Sequence, residues 1–210
     1  MFVGQEALLA SHRGWDPGAF ELARQIADKL AAPLFASTVT RLLIDLNRSI
    51  GHRRLHGEAI AALPSAIKTQ IARQFYFPHR EAVMATVAAI VAGGGRVIHV
   101  ASHSFTPNLD GVVRQADVAW LYDPDRAGEV AFSAQWRARL LARRPELRLR
   151  RNYPYQGKGD GLTRALRQMY PAHQYVGIEL EINQRFVLAG GPPWQALRDA
   201  VAGALLDALD

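Results

Sequence analysis

The 210-residue chain contains no cysteine. Disulfides, cysteine-ligated zinc, iron–sulfur clusters and thiol nucleophiles are therefore excluded, and any bound metal must rely on histidine, aspartate or glutamate. Lysine is also scarce, because only three of the 25 basic residues are lysines and the rest are arginines spread over most of the chain. The formal net charge of +6 thus lacks the mixed basic runs that are typical of nucleic-acid binders, and we expect no nucleic-acid partner.

Long apolar runs are missing as well. The longest candidate, residues 84–92, ends at three consecutive glycines and falls well short of the roughly 18 residues of a membrane span. The first residues lack the basic and apolar regions of a signal peptide. We therefore expect a cytoplasmic protein with no membrane partner, and a composition of 49% hydrophobic and 21% charged residues predicts one globular domain over residues 1–210.

Helix and strand patterns alternate along the chain. They predict an α/β fold in three layers, with a mixed, mainly parallel sheet and helices on both of its faces. Strands are expected at residues 34–39, 42–46, 96–102, 118–122, 147–150 and 175–182. Helices are expected at residues 19–31, 59–63, 65–92 (interrupted near Pro78), 127–142, 162–170 and 194–209.

A histidine follows the apolar strand at residues 96–102. His103 comes at the carboxyl end of this strand, among serines and other polar residues, where α/β folds form their ligand sites. His99 shares its strand face but lies about 13 Å away, too far for both to bind one metal. We interpret His99 as a core histidine bonded to a carbonyl and His103 as a candidate ligand or acid–base group.

Two further segments carry candidate groups. His12 and Asp16 are four residues apart and could supply metal ligands or an acid–base pair, although Asp16 before Pro17 could equally cap the helix that follows. Asn47 and Arg48 end an apolar run that also delivers Asp45, and an amide beside a guanidinium suits a substrate carboxylate. The alternative for that run is a local ion pair between the aspartate and Arg48.

Two glutamates lie on one face of the apolar strand at residues 175–182. Glu179 and Glu181 occupy alternate positions, and buried carboxylates are costly unless they are paired or used. Either could act as a general base, whereas an edge strand with a solvated face is the alternative. The glycine-rich loop at residues 153–161 matches neither a P-loop nor a dinucleotide fingerprint, and could be a mobile substrate loop.

Six short segments, taken in order, resemble the N-formylglutamate amidohydrolase family. They are residues 12–18 (HRGWDPG), 37–49 (STVTRLLIDLNRS), 102–107 (SHSFTP), 121–124 (LYDP), 151–155 (RNYPY) and 177–184 (GIELEINQ). The resemblance implies a phosphorylase/hydrolase-like fold, similar to zinc carboxypeptidases and aspartoacylases. It also implies that a zinc-bound water hydrolyses the amide of a small anionic N-acyl amino acid.

The resemblance further implies roles for individual residues. His103 and Asp16 correspond to zinc ligands, and Glu181 corresponds to the general base, with Glu179 as the second choice. Asn47 and Arg48 correspond to the clamp for the substrate carboxylate. The remaining implied substrate-binding residues are Arg41, Asn152, Tyr155 and Thr163.

One expected motif is missing. Family members normally carry an earlier Glu-His-Gly-Gly or Pro-His-Ala-Gly loop whose histidine is the first metal ligand, but residues 1–10 contain no histidine and His12 is a weak substitute. We therefore expect this chain to bind zinc weakly, and to leave uncovered the sheet position of the family's first strand. The alternative function is a non-catalytic member that binds an acidic small molecule, and a homo-oligomer is left open.

Overall fold

A computed structural model describes residues 2–210. The helices are α1 (Glu6–Ala10), α2 (Ala19–Leu30), α3 (Glu58–Ala61), α4 (Ser65–Ile71), α5 (Phe77–Ala92), α6 (Ala127–Arg143), α7 (Leu162–Met169), α8 (Gln184–Ala189) and α9 (Gly191–Leu206). The strands are β1 (Val97–Phe105), β2 (Asn108–Leu109), β3 (Val112–Val113), β4 (Val118–Leu121), β5 (Leu149–Arg151) and β6 (Tyr175–Asn183). The alternation predicted from the sequence is therefore present, while the single-domain organisation stays a prediction.

The main sheet has the strand order β1-β6-β4-β5. The central strand β6 pairs in parallel with β1 and antiparallel with β4, which in turn pairs in parallel with β5. Two of the three pairings are thus parallel, as predicted. Because β6 is covered on both faces and on both edges, every residue of it except Glu179 is buried, including the polar Glu181 and Asn183.

Helices cover both faces of this sheet and complete the predicted three layers. On one face α2, α6 and α9 form the largest apolar cluster around Trp136, whose indole N–H donates to the carbonyl of Val201 at 3.1 Å. On the other face α5 and α7 pack against β1 and β6 through Val83, Val87 and Leu166. The sheet is therefore sandwiched between helices.

Two of the predicted strands are wrong. Residues 32–38 form no helix, turn or bend, are exposed, and pair with no strand of the described residues 2–210. Residues 42–46 instead run from a turn at residues 41–43 to a second turn at 46–47. Leu43 N–H donates to the Thr40 carbonyl, and Asp45 N–H donates to the Leu55 carbonyl. A β-strand forms only where another strand can pair with it, so a segment with high β-propensity does not become a strand by itself.

The predicted interruption near Pro78 is confirmed. A π-helical turn, Ala72–Tyr76, joins α4 to α5, and Pro78 falls in the first turn of α5. Proline is tolerated there because the first amide groups of a helix have no intrahelical acceptor. The missing N–H of Pro78 is therefore accommodated by a new helix start rather than by a break in the chain.

Candidate active site

A cavity of about 460 Å³ lies beside the outer edge of β1. Its polar end is formed by Asp16, Arg41, Asp45, Asn47 and His103. The remainder is mostly apolar and runs between α2 and α5. The structure thus brings together, at the carboxyl end of β1, four of the residues that the sequence analysis proposed for the site.

Asp16 binds His103 directly. Its Oδ2 lies 2.8 Å from His103 Nδ1, and its Oδ1 accepts from Arg41 Nη1 at 2.8 Å. The interpretation of Asp16 as a helix cap is wrong, because α2 has Gly18 at its N-cap and no capping side chain. The local Asp-Pro-Gly pattern is overridden by two partners that are distant in the sequence.

These contacts set the protonation of the pair. Burial alone would lower the pKa of His103, but the hydrogen bond and charge of Asp16, with the charges of Glu181 and Glu179, raise that pKa to about 9. Burial would raise the pKa of Asp16, yet His103 and Arg41 hold it below its usual value. His103 is therefore an imidazolium paired with a carboxylate at neutral pH.

Glu181 lies opposite His103, since the two are register partners on the parallel strands β6 and β1. It is 5% exposed, and its Oε2 has no hydrogen-bond partner among the described residues. Burial raises the pKa of Glu181 to about 8, against the opposing charge of His103. A carboxyl group with this pKa exchanges its proton near neutral pH, as general acid–base catalysis requires.

Glu179 has a different environment. Its Oε1 accepts from the hydroxyl of Thr163 at 2.6 Å, and the Thr163 side chain is fully buried. Glu179 is only partly buried. The two glutamates of β6 are thus distinguished by their partners, because Glu179 is hydrogen-bonded while Glu181 retains an oxygen without a partner.

Asn47 connects the site to the loop before α7. Its Oδ1 accepts from Leu162 N–H at 2.9 Å, which leaves Nδ2 facing His103 Nε2 at 3.4 Å. Gly161 permits this approach, since a Cβ there would lie 3.0 Å from Asn47 Oδ1 and 3.2 Å from Glu179 Oε1. The hydrogen bond from Leu162 fixes the orientation of the amide.

Arg48 is not part of the cavity wall and contacts the same loop. Its Nη1 donates to the Asp160 carbonyl at 3.2 Å, and its Nε lies 3.8 Å from Asp45 Oδ2. The predicted Asp45–Arg48 pair is therefore loose, and Asp45 bonds Arg41 more closely, at 3.0 Å. Arg48 is 30% exposed, and its Nη2 forms no hydrogen bond with the described residues.

Asp160 was missed by the sequence analysis. Its carboxylate accepts from Ser49 N–H at 2.8 Å and from the Ser49 hydroxyl. These two hydrogen bonds hold the loop against Ser49, the residue after Arg48. The available signal was an acidic residue between two glycines, Gly159 and Gly161, in a loop that had been interpreted as mobile. Asp160 instead fastens that loop to the segment at residues 47–49.

Besides Arg48, three of the predicted substrate-binding residues lie outside the cavity wall. Asn152 Oδ1 accepts from the N–H groups of Tyr122 and Gly157, so it braces a loop. Tyr155 is 48% exposed and accepts from Arg114 at 3.3 Å. Thr163, described above, bonds Glu179. Substrate binding by these residues stays a prediction.

His99 and His12, the other two histidines considered as candidates, lie in different environments. His99 was predicted to be a core histidine bonded to a carbonyl, but it is half-buried, lines the cavity, and bonds the Tyr175 hydroxyl through Nδ1 at 2.8 Å. Burial lowers the pKa of His99 to about 4. His12 is exposed and lies outside the cavity wall, so the structure does not bring it to the site.

The donor set for a metal is small. Among residues 2–210 no three His, Asp or Glu side chains are grouped as metal ligands would be. His103 and Asp16 are the two suitable groups in contact, whereas a catalytic zinc ordinarily has three protein ligands and a water. The described residues therefore do not complete a zinc site.

The fold and the site together define an α/β protein with buried acid–base groups near the carboxyl ends of two of its strands. The chain belongs to the N-formylglutamate amidohydrolase family, which matches residues 3–188. The resemblance found in the sequence is thereby confirmed. No helix in the described part of the chain is long and apolar enough to cross a membrane.

Two solved structures share the fold. A gene product of Agrobacterium tumefaciens is 27% identical, with a TM-score of 0.80, and the match covers 97% of this chain and 81% of that one. The N-formylglutamate amidohydrolase of Ralstonia eutropha JMP134 is 19% identical, with a TM-score of 0.71 and coverage of 91% and 80%. No curated protein matches the sequence.

Proposed function

We propose that the chain hydrolyses the amide bond of a small N-acylated amino acid such as N-formylglutamate. The observation that carries this proposal is the pair of Asp16 and His103 at the polar end of the cavity, with the buried Glu181 directly opposite His103 on β6. Family membership supports the reaction class, and the residues described here support the division of roles.

Glu181 acts as the proton-transfer group. Since its pKa lies near 8, its ionised form is available to take a proton from the attacking water, and its acid form can return that proton to the leaving nitrogen. Its Oε2 has no competing partner in the described part of the chain. Glu179 is the weaker candidate because Thr163 already occupies one of its oxygens.

His103 and Asn47 bind the carbonyl oxygen of the amide. The imidazolium directs Nδ1–H to Asp16, so that its Nε2 carries a second proton. Asn47 Nδ2 is also a donor, and two donors 3.4 Å apart cannot satisfy each other. Both are therefore available to one acceptor, such as the oxyanion that forms when water attacks the amide.

Arg48 holds the substrate carboxylate. The guanidinium of Arg41 is already neutralised by Asp16 and Asp45, each within 3.0 Å, and so it has little capacity for another anion. Arg48 keeps Nη2 without a partner and is partly exposed. An accessible guanidinium nitrogen of this kind favours binding of a carboxylate.

The residues of the site supply only part of a zinc-binding site. His103 and Asp16 are the residues that would hold it, and a bound zinc would supply a more acidic water. Two ligands do not fill a catalytic site, so no step is assigned to the metal.

The test is hydrolysis of N-formylglutamate, followed by release of formate. We expect turnover by the purified chain and a loss of about 100-fold or more in kcat for Glu181→Gln, with little change in KM, because general acid–base catalysis contributes on the order of 10²–10⁴. Glu179→Gln is the matched control on the same strand and should retain most of the activity. Equal losses in both variants would contradict the role of Glu181.

The second candidate is a family member that binds an acidic small molecule without turnover. The two-residue donor set favours it, because a hydrolase that depends on zinc would be impaired by an incomplete site. Thermal stabilisation by N-formylglutamate, insensitive to chelators and without formate release, would establish this alternative.

A further inference from the structure

Arg114 follows the β2–β3 hairpin, and hydrogen bonds fix its backbone on both sides. Its N–H donates to the Pro107 carbonyl at 2.8 Å, which closes the hairpin just after β1. Its carbonyl accepts from Asn183 Nδ2 at 3.2 Å, and Asn183 is the buried last residue of β6. The ends of β1 and β6 therefore determine where the Arg114 side chain starts.

The guanidinium group of Arg114 stacks on two aromatic rings. Its Cζ lies 6.0 Å from the ring centroid of Phe105 and 5.4 Å from that of Tyr155. Phe105 is two residues beyond His103 on β1, about 6.6 Å at 3.3 Å per residue, and alternate residues of a strand point to the same face of the sheet. The guanidinium therefore lies on the sheet face that carries His103 and its register partner Glu181.

The charge of Arg114 is not neutralised within the described part of the chain. No carboxylate among residues 2–210 forms an ion pair with Arg114, and its only side-chain hydrogen bond to these residues runs from Nη1 to the Tyr155 hydroxyl at 3.3 Å. Since the Tyr155 oxygen accepts this bond, its own proton is directed elsewhere. Nε and Nη2 of Arg114 and the Tyr155 hydroxyl can therefore donate to the same anion. Phe105, Arg114 and Tyr155 are called the Arg114 site below.

The glycine-rich loop at residues 153–161 links the Arg114 site to Arg48. Near the start of the loop Tyr155 contacts Arg114, and near its end the Asp160 carbonyl accepts from Arg48 Nη1 at 3.2 Å. Arg48 also keeps a guanidinium nitrogen without a partner among the described residues. One loop thus contacts two arginines, and each of them has donors available for an anion.

His103 lies close to both arginines through intervening residues. Asn47, the residue before Arg48, has its Nδ2 3.4 Å from His103 Nε2. Phe105 follows His103 by two residues on β1 and has Arg114 over its ring. A ligand bound at His103 is therefore within reach of two cations, Arg48 and Arg114.

We propose that the Arg114 site binds the side-chain carboxylate of an N-acylated dicarboxylic amino acid, while Arg48 binds the α-carboxylate. This assignment rests on the proposed hydrolysis and specifies its substrate class. Arg48 directly follows Asn47, to which we assign the amide oxygen, so Arg48 suits the carboxylate nearest to the amide. Arg114 lies over the Phe105 ring, further along the strand, and the side-chain carboxylate of glutamate is two methylene groups further from the amide than the α-carboxylate.

The test measures ligand binding by titration calorimetry in the Glu181→Gln background, where turnover is expected to be slow. Three ligands separate the two charges. N-formylglutamate carries both carboxylates, N-formylglutamine has an amide in place of the side-chain carboxylate, and N-formylisoglutamine has an amide in place of the α-carboxylate. We expect Arg114→Met to weaken binding of N-formylglutamate and N-formylisoglutamine by roughly 10-fold to 100-fold and to leave N-formylglutamine unchanged. Arg48→Met should instead leave only N-formylisoglutamine unchanged.

Arg24→Met is the matched control. Arg24 is exposed on α2, and its Cζ lies 5.8 Å from the Phe20 ring centroid, so this change also removes one positive charge and one stacked guanidinium. It should leave binding of all three ligands unchanged. Arg114→Lys keeps the charge without the fork and should retain part of the affinity for N-formylglutamate, whereas Tyr155→Phe should cause a smaller loss for the same two ligands as Arg114→Met. Melting temperatures show whether each variant is folded.

Equal losses for all three ligands, or no loss for any of them, in a folded Arg114→Met variant would overturn the Arg114 site. A loss for N-formylglutamate and N-formylglutamine alone would assign Arg114 to the α-carboxylate and would also overturn the proposal. Hydrolysis is measured separately, as formate release by the unsubstituted chain. If release is absent while the ligand pattern holds, the proposed function fails and the Arg114 site stands. If N-formylglutamate does not bind at all, the Arg114 site is overturned as well.

Discussion

His103 and Glu181 face each other across two parallel strands, and each controls the charge of the other. The cation of His103 lowers the pKa of Glu181, and the anion of Glu181 raises the pKa of His103. The neutral carboxyl beside the imidazolium changes to an ion pair as the pH rises past about 8, and the imidazolium then loses its proton near pH 9. The pair therefore titrates as a unit between about pH 8 and 9.

The stability of the protein should fall as the pH rises from about 6.5 to 9, since below 6.5 the lowered pKa of His99 contributes in the opposite direction. Glu181 has a raised pKa in the folded state, so its stabilising contribution is complete below its unfolded value of 4.5 and is lost by about pH 8. His103 contributes in the same direction, with its loss between 6.5 and about 9. Urea unfolding at several pH values measures this slope.

Glu181→Gln is the matched variant for that measurement. An uncharged amide of the same shape removes the part of the slope that begins near pH 4.5 and leaves the part that belongs to His103. An unchanged slope in Glu181→Gln would show that Glu181 ionises normally in the folded protein.

Arg48→Ala should weaken binding of an acidic N-acyl amino acid much more than binding of its amide analogue. Removal of a charge-assisted guanidinium contact costs about 2–4 kcal/mol when the partner is buried, and this corresponds to a rise in KM of roughly 30-fold to 1,000-fold. Steady-state kinetics with both substrates provides the comparison. Equal changes for both would exclude Arg48 as the carboxylate clamp, and Arg48→Lys separates charge from fork geometry.

The purified chain should retain less than one equivalent of zinc after dialysis. The expectation follows from a donor set of two, His103 and Asp16, where a catalytic zinc ordinarily has three protein ligands. Elemental analysis measures the content directly. His12→Ala should leave it unchanged because His12 is exposed outside the cavity, and a stoichiometric zinc lost in His12→Ala would mean that this histidine completes the site.

Arg167→Met should destabilise the fold strongly. Arg167 Nε donates to Glu129 at 2.9 Å, Glu129 is fully buried, and Arg167 also holds the carbonyls of Gly157 and Gly177. Loss of the Arg167 cation leaves the buried Glu129 carboxylate with Arg126, which is more distant. Breaking a buried ion pair in this way lowers the free energy of unfolding by about 3–5 kcal/mol. Chemical denaturation reports the free energy of unfolding.

Arg143→Met provides the comparison for an exposed pair. Arg143 forms its hydrogen bonds to Asp207 at the surface, where an ion pair contributes about 1 kcal/mol or less. Similar losses in the two variants would mean that the burial of Arg167 adds nothing to its contribution.

The sequence predicts the centre of this fold better than its edge. The strands that became β1, β4 and β6 are largely apolar and have neighbouring strands to pair with, and the pairing of β1 with β6 places His103 opposite Glu181. Residues 34–39 have equally strong strand character but no neighbour to pair with, and pairing is a property of the whole chain rather than of a local pattern.

The site shows the same division. His103 and Glu181 are recognisable as residue types near strand ends and Asp16 as a polar residue at a helix start, yet nothing local to Asp16 reveals that it binds His103, 87 residues away. Asp160 was missed for the same reason, because its partner Ser49 is 111 residues distant. Contacts across such separations depend on the assembled fold.

The π-helical turn at Ala72–Tyr76 sets the rotational phase of the long helix that contains it. Tyr76 and Arg80 reach the same acceptor, the carbonyl of Arg48, at 2.7 Å and 3.2 Å. Each residue of an α-helix turns the chain by about 100°, so deletion of one residue from this turn would rotate α5 away from that carbonyl. The length of this turn thus determines whether Tyr76 and Arg80 can hydrogen-bond to the segment that carries Asn47 and Arg48.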